Sequence, residues 1–106
     1  MTGFDEREKG FEAKFAHDAD MEFRVQARRN RLAGLWAAEK LGLTEVEAEA
    51  YARSVIQADF EEAGDDDVIR KIVGDLLRAG CEVSDIEVRE VLSRKTVEAR
   101  AQLGAD

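Results

Sequence analysis

The chain has 106 residues, of which 44% are hydrophobic and 38% charged, and it contains no proline. That length suits a single hydrophobic core and is too short for two. The net charge of −8 argues against generic DNA or RNA binding, which draws its strength from Lys and Arg neutralising phosphates. No run approaches the roughly 20 apolar residues of a membrane span, and no basic start leads into an apolar stretch. A cytoplasmic protein without direct membrane insertion is therefore expected. The single Cys81 has no partner for an intrachain disulfide. One thiol and the single His17 are too few soft ligands for a metal site.

The absence of proline and the abundance of Ala, Glu, Arg, Leu and Lys favour helix, since these side chains lose little rotamer freedom there. No segment alternates with the period of a strand. The first long helix carries Met21, Val25, Leu32, Leu35 and Trp36 on one face, and Gly42 with Leu43 closes it. Gly34 lies inside that helix at a cost of about 1 kcal/mol relative to alanine, which a close helix crossing or a slight kink would explain.

Thr44-Glu45-Val46-Glu47 forms a capping box, with Leu43 and Ala48 as its hydrophobic staple. Ala48, Tyr51, Val55 and Ala58 follow at helical spacing, and Gly64 offers a left-handed stop. Asp65, Asp66 and Asp67 supply a cap and negative charge for the next helix. Val68, Ile69, Ile72, Val73, Leu76 and Leu77 give that helix a broad apolar face, and Arg78 and Gly80 end it. Ser84-Asp85-Ile86-Glu87 repeats the capping box, with Val83 and Val88 as staple. Val88, Val91, Leu92, Ala99 and Leu103 then share a face until Gly104. Four amphipathic helices with short links predict an all-α, compact four-helix bundle over residues 18–106. Trp36, Ile72, Val73 and Leu92 are its expected core, with Trp36 and Tyr51 on apolar stripes.

Residues 1–17 depart from that pattern. Phe4, Phe11 and Phe15 recur at i, i+7 and i+11, a helical stripe offset by roughly 80° from the Met21–Trp36 stripe at 100° per residue. Gly3 and Gly10 weaken the segment, and isolated helices of this length are marginal in water. A mobile N-terminal segment is expected, with two readings of its phenylalanines. They dock on the bundle, or they anchor a helix that folds into a partner's groove.

Charge is unevenly distributed. Residues 21–42 hold Arg24, Arg28, Arg29, Arg31 and Lys40 against Glu22 and Glu39. Residues 43–64 hold Glu45, Glu47, Glu49, Asp59, Glu61 and Glu62 against Arg53 alone. Arg24, Arg28, Arg29 and Arg31 can face the phosphates of ATP or ADP, or a partner. More simply, they pair with the acidic surface of a neighbouring helix.

No catalytic constellation is present. The sequence has no glycine-rich phosphate loop, no nucleophile elbow and no repeated Cys/His spacing. Ser54, Ser84 and Ser93 have no neighbouring histidine in sequence. His17-Asp18-Ala19-Asp20 reads as a solvated hinge or cap before it reads as a metal site, and Cys81 after Gly80 reads as a small apolar residue at a helix end. A non-enzymatic protein with no obligatory cofactor and no metal is expected, a monomer when free.

Four stretches carry a resemblance. Phe4-Asp5-Glu6-Arg7-Glu8-Lys9, Phe11-Glu12-Ala13-Lys14-Phe15-Ala16-His17-Asp18, and the pair Ala27-Arg28-Arg29-Asn30-Arg31-Leu32 and Gly34-Leu35-Trp36-Ala37-Ala38-Glu39-Lys40-Leu41-Gly42 resemble the zeta subunit of alphaproteobacterial F-type ATP synthases. The likeness spans essentially the whole chain and is most specific over residues 4–42. It implies an inhibitor of ATP hydrolysis whose four-helix part attaches to the outside of the catalytic head, peripheral to the membrane. It further implies an N-terminal segment that enters an interface of alpha and beta subunits toward gamma and lengthens as a helix there. By position that segment is Phe4 to Phe15. Phe11 and Phe15 are the expected apolar anchors, with Phe4 and Asp5 at its start and Arg7, Lys9, Glu12 and Lys14 as rim contacts. Gly10 stands where the resemblance leads one to expect a helix former, which raises the cost of ordering the segment. Two other classes compatible with the residues are a nucleotide-responsive regulator and a general helical adaptor.

Overall fold

The computed structural model describes the backbone of residues 2–60 and 64–104, and the side chains of residues 18–60 and 64–104. The chain forms four helices: α1 (Thr2–Leu41), α2 (Glu45–Ala58), α3 (Asp66–Arg78) and α4 (Asp85–Leu103). α1 packs mainly on α2 and α4, and α3 closes the remaining side. This is the four-helix architecture that the punctuation predicts. α1 spans both sides of the expected division at residue 17. The mobility expected of residues 1–17, and their side chains, lie outside the described residues.

The core gathers Val55 from α2, Val68, Ile69, Ile72 and Leu76 from α3, and Val88, Val91 and Leu92 from α4. Ile72 and Leu76 are fully buried, and each such side chain contributes on the order of 2 kcal/mol relative to exposure. Trp36, Tyr51 and Val73 pack against this cluster while partly exposed, as two-sided amphipathic stripes require. Leu77, expected on the same face, is 53% exposed. The seam of α3 is already filled by its i, i+3 and i+7 members Ile69, Ile72 and Leu76, and Leu77 lies one position round the helix.

α1 buries a different face from the one its large residues suggest. Of the expected stripe Val25 is buried, while Met21, Leu32, Leu35 and Trp36 are only half-buried; Ala33, Ala37 and Ala38 are fully enclosed, beside Asn30. Small residues win this face because the helices approach closely. A Cβ at Gly34 would lie 2.7 Å from the Ala52 Cα and 3.3 Å from a Val55 methyl. Gly34 therefore marks a close crossing of α1 and α2.

The helix ends follow the sequence in most places. Thr44 Oγ1 accepts from the Glu47 N–H, and the Glu47 carboxylate accepts from the Thr44 N–H at 2.9 Å, completing the box. Ser84 caps the Glu87 N–H; the reciprocal Glu87 bond is absent, so this cap is half a box. α1 and α3 end alike. Leu43 and Cys81 donate backwards to Ala38 and Leu76, while Gly42 and Gly80, at φ +71° and +82°, donate to Glu39 and Leu77. Only glycine takes that left-handed step cheaply. Cys81 is thus the small apolar residue closing a helix end, as expected.

Two expected signals resolve differently. α2 stops at Ala58 with Asp59 as its C-cap, so Gly64, although at φ +92°, belongs to the following link. Asp65 occupies the N-cap position of α3 in a helical conformation with no side-chain cap bond. Its carboxylate is taken by Arg29 at 3.0 Å, a stronger partner than a backbone N–H.

Candidate functional site

The four arginines singled out in the sequence are all engaged within the chain. Arg24 pairs with Asp20 on its own helix at 3.0 Å. Arg28 donates to Gln102 of α4. Arg31 grips Glu49 of α2 with two bonds of 2.7 and 2.9 Å, and the Arg31 hydrogen bond holds the Glu49 carboxyl below its ordinary range. The most enclosed is Arg29, whose guanidinium donates to Asn30 Oδ1 at 2.8 and 3.1 Å and pairs with Asp65. This stitches α1 to the start of α3. Arg29 and Arg31 pair with acids outside α1, as the simpler reading expected, whereas Arg24 stays on its own helix and Arg28 meets an amide. Asn30, 1% exposed, was not singled out in the sequence, and its place between two arginines hides it there.

The residues expected to form an inhibitory segment, Phe4, Asp5, Arg7, Lys9, Phe11, Glu12, Lys14 and Phe15, have side chains outside the described residues. What is described is the helix they belong to. α1 is 40 residues long, against 19 for α4, 14 for α2 and 13 for α3. At 1.5 Å per residue it runs about 60 Å, roughly twice its longest neighbour. Among the described residues, the most N-terminal bond from α1 to another helix is the forked pair of Arg100 on Glu22, at 2.8 and 3.0 Å. The Arg100 hydrogen bond lowers the Glu22 pKa. Asp18, Ala19 and Asp20, just before it, are exposed.

Beside that last tie lies a feature the sequence reading passed over. The rings of Phe23 and Phe60 sit 5.8 Å apart at 35°, and they are 56% and 64% exposed. With Ala27 and Ile56 they line a cleft of about 320 Å³, with Asn30 and Asp59 among its polar lining. Asp59 receives Gln26 at 2.9 Å through Oδ2. Its Oδ1 is buried without a hydrogen bond, 3.9 Å from Arg29. A signal was available in the sequence: at 100° per residue Phe23 lies on neither α1 stripe, roughly opposite the Met21–Trp36 one, and Phe60 follows the end of α2, where neither has a core position to fill.

On the other side of the molecule, Asp75 gathers the Tyr51 hydroxyl at 2.8 Å, Lys71 at 3.1 Å and Arg78. Burial pushes the Asp75 carboxyl up, but these donors hold it below its ordinary value. Burial, then the bond to Asp75, pushes Tyr51 well above its usual phenol range. This cluster bridges α2 and α3 and is structural. Among the described residues no three His, Cys, Asp or Glu side chains gather to hold a metal ion, and no helix is long and apolar enough to cross a membrane.

A compact helical bundle whose first helix is far longer than the bundle it belongs to defines the all-α class of this protein. The family model of the ATPase inhibitor subunit zeta matches residues 1–102, and the chain belongs to that family of ATPase inhibitors. A structure solved by solution NMR is 49% identical, with a TM-score of 0.70, covering 78% of this chain and 94% of its own. No curated protein matches the chain.

Proposed function

We propose that this ATPase inhibitor acts by inserting the N-terminal part of α1, as a helix, into an alpha/beta interface of an F-type ATP synthase head, toward gamma. The observation that carries this reading is the length of α1. A 40-residue helix secured in the bundle by residues from Glu22 to Leu41 can present its first five turns to a partner. Those turns carry Phe4, Phe11 and Phe15 in one stripe, with Asp5, Arg7, Lys9, Glu12 and Lys14 between them. Aromatic anchors at helical spacing with a charged rim are how a helix recognises a groove. A rigid helix wedged between subunits blocks hydrolytic rotation without contacting the reacting phosphates, so the chain needs no catalytic group or cofactor of its own. It works at the cytoplasmic face, peripheral to the membrane.

The test is ATP hydrolysis by cognate catalytic heads with the full chain added. Inhibition by the parent that disappears on removal of residues 1–17, while the remaining bundle still folds, supports the reading. Equal inhibition by the shortened chain sinks it.

A further inference from the structure

We infer that Glu22 and Arg100 are positioning residues for inhibition: their ion pair sets the direction in which α1 leaves the bundle and so aims the N-terminal segment. The inference rests on the proposed function, because aim matters only if that segment enters a partner as a helix.

The two helices that pack most on α1 end at this level. α2 ends at Ala58, and its C-cap Asp59 receives Gln26 at 2.9 Å. α4 ends at Leu103, and its last turn meets α1 twice, through Arg100 on Glu22 and through Arg28 donating to Gln102 at 2.8 Å. Just past the end of α2, Phe60 packs on Phe23. α1 is thus braced by two neighbours over residues 22–28, and Asp18, Ala19 and Asp20 before them are exposed. Among the described residues, Glu22 makes the outermost of these bonds to another helix.

The pair is built for direction more than for strength. The Glu22 and Arg100 side chains are 61% and 37% exposed, and an ion pair open to water contributes little to stability. Neither residue belongs to the core cluster. Yet two guanidinium nitrogens each engage one carboxylate oxygen, at 2.8 and 3.0 Å. A forked pair fixes the planes of both groups, where a single bond leaves them free to turn.

Leverage makes direction matter. At 1.5 Å per residue Phe4 lies about 27 Å beyond Glu22 along α1, so a swing of about 10° at Glu22 carries it about 5 Å, nearly one helical turn. Anchors at helical spacing fit a groove only in register. A helix loose at its base is correctly aimed for only a fraction of the time, and its apparent affinity is reduced by that fraction.

The test uses the full chain and cognate heads, with ATP hydrolysis and the urea midpoint of the free protein both measured. Glu22→Arg and Arg100→Glu, each alone, reverse one charge of the pair. Each should weaken inhibition about tenfold and leave the midpoint near the parent's. The two together rebuild the pair with its charges exchanged, and should restore inhibition to within about threefold of the parent.

If the single variants inhibit like the parent, the pair does not aim the helix, and the N-terminal reading stands untouched. If the exchanged pair inhibits no better than the single variants, the two residues do not act through each other and the inference falls. A midpoint that drops together with inhibition makes the pair a prop of the bundle, which also overturns it. Should a reversed charge unfold the chain, Glu22→Gln, which keeps the shape and removes the charge, decides in its place: parent-like inhibition overturns the inference, and weakened inhibition at an unchanged midpoint supports it. If the parent itself does not inhibit, the proposed function fails and leaves no helix to aim.

Discussion

The two halves of α1 are built from opposite materials. From Asn30 to Ala38 the helix offers Ala33, Gly34, Ala37 and Ala38 to its neighbours, residues that contribute little apolar area but let backbones approach. From Phe4 to Phe15 the sequence offers three phenylalanines, which suit a groove that opens and closes. Small residues make a permanent, close contact whose energy is spread over many atoms. Large aromatics concentrate energy in a few removable anchors. Yet the two halves share one register: at 100° per residue Phe15 falls in line with Ala33, and within about 40° of Arg29 and Ala37. The offset of the phenylalanine stripe is taken from Met21, Val25, Leu32, Leu35 and Trp36, of which Val25 alone is fully within the side α1 buries.

The largest effect should come from removing the anchors. Phe11→Ala with Phe15→Ala should cost about 4 kcal/mol of apparent affinity for catalytic heads, about a thousandfold, if each buried ring contributes about 2 kcal/mol. The unfolding midpoint of the free protein should not change. Inhibition constants and urea denaturation on the same two proteins check this. A loss of stability instead would mean that the phenylalanines belong to the bundle and that the contrast between the halves is false.

In the C-terminal half of α1, Gly34→Leu should destabilise the fold by about 3 kcal/mol, because a Cβ there already meets the Ala52 backbone at 2.7 Å. Gly34→Ala separates the causes. Helix propensity alone would stabilise by about 1 kcal/mol, whereas the contact with backbone should make the net change unfavourable. Urea midpoints decide, and a stabilised alanine variant would show that α1 and α2 are not in close contact there.

How much of this was legible in the sequence depends on whether a signal was local. The caps at Thr44 and Ser84 and the glycine stops at Gly42, Gly80 and Gly104 act within a few residues, so reading them needs no tertiary knowledge. Gly34 could be flagged as a close crossing because a helix-interior glycine is costly without one. The α1 seam was misread because size was taken as the mark of burial, and a close crossing reverses that rule. The expected cap at Asp65 failed because Arg29, 36 positions away in the chain, competes for the same carboxylate. The Phe23–Phe60 pair was missed for a related reason: its two members are brought together only when α2 packs on α1.

A smaller effect separates the structural polar cluster from the partner surface. Asp75 has a lowered pKa, so its stabilisation is present above the unfolded carboxylate value, about 3.9, and is lost as pH falls through the folded one. Tyr51 has a raised pKa, so its contribution is present below about pH 10 and is lost at higher pH. Asp75→Asn should destabilise the bundle by about 1 kcal/mol at neutral pH and flatten the acid limb of its stability profile. Tyr51→Phe should flatten the alkaline limb. Urea midpoints from pH 2.5 to 11 measure both, and inhibition at neutral pH should be unchanged wherever the variant is folded. A variant that folds but no longer inhibits would place this cluster on the partner surface.

The smallest and most discriminating change is Gly10→Ala. Glycine in a helix interior costs about 1 kcal/mol relative to alanine, and position 10 lies within α1, beside the Phe11 anchor. If the bound segment is helical through residue 10, the substitution lowers the cost of ordering it and should tighten inhibition by up to about fivefold, or about 1 kcal/mol. If the segment stands apart from the bundle, global stability should stay within about 0.5 kcal/mol. Helix content of the free protein, followed by circular dichroism, should rise slightly. The direction of the inhibition constant is what matters. A tighter inhibitor shows that the N-terminal half of α1 meets its partner as a helix that must be ordered at a cost. A weaker one, with helix content still raised, shows that the partner's backbone approaches position 10 as closely as Ala52 approaches Gly34, so that both halves would use a glycine for contact and their difference would lie in the phenylalanines alone.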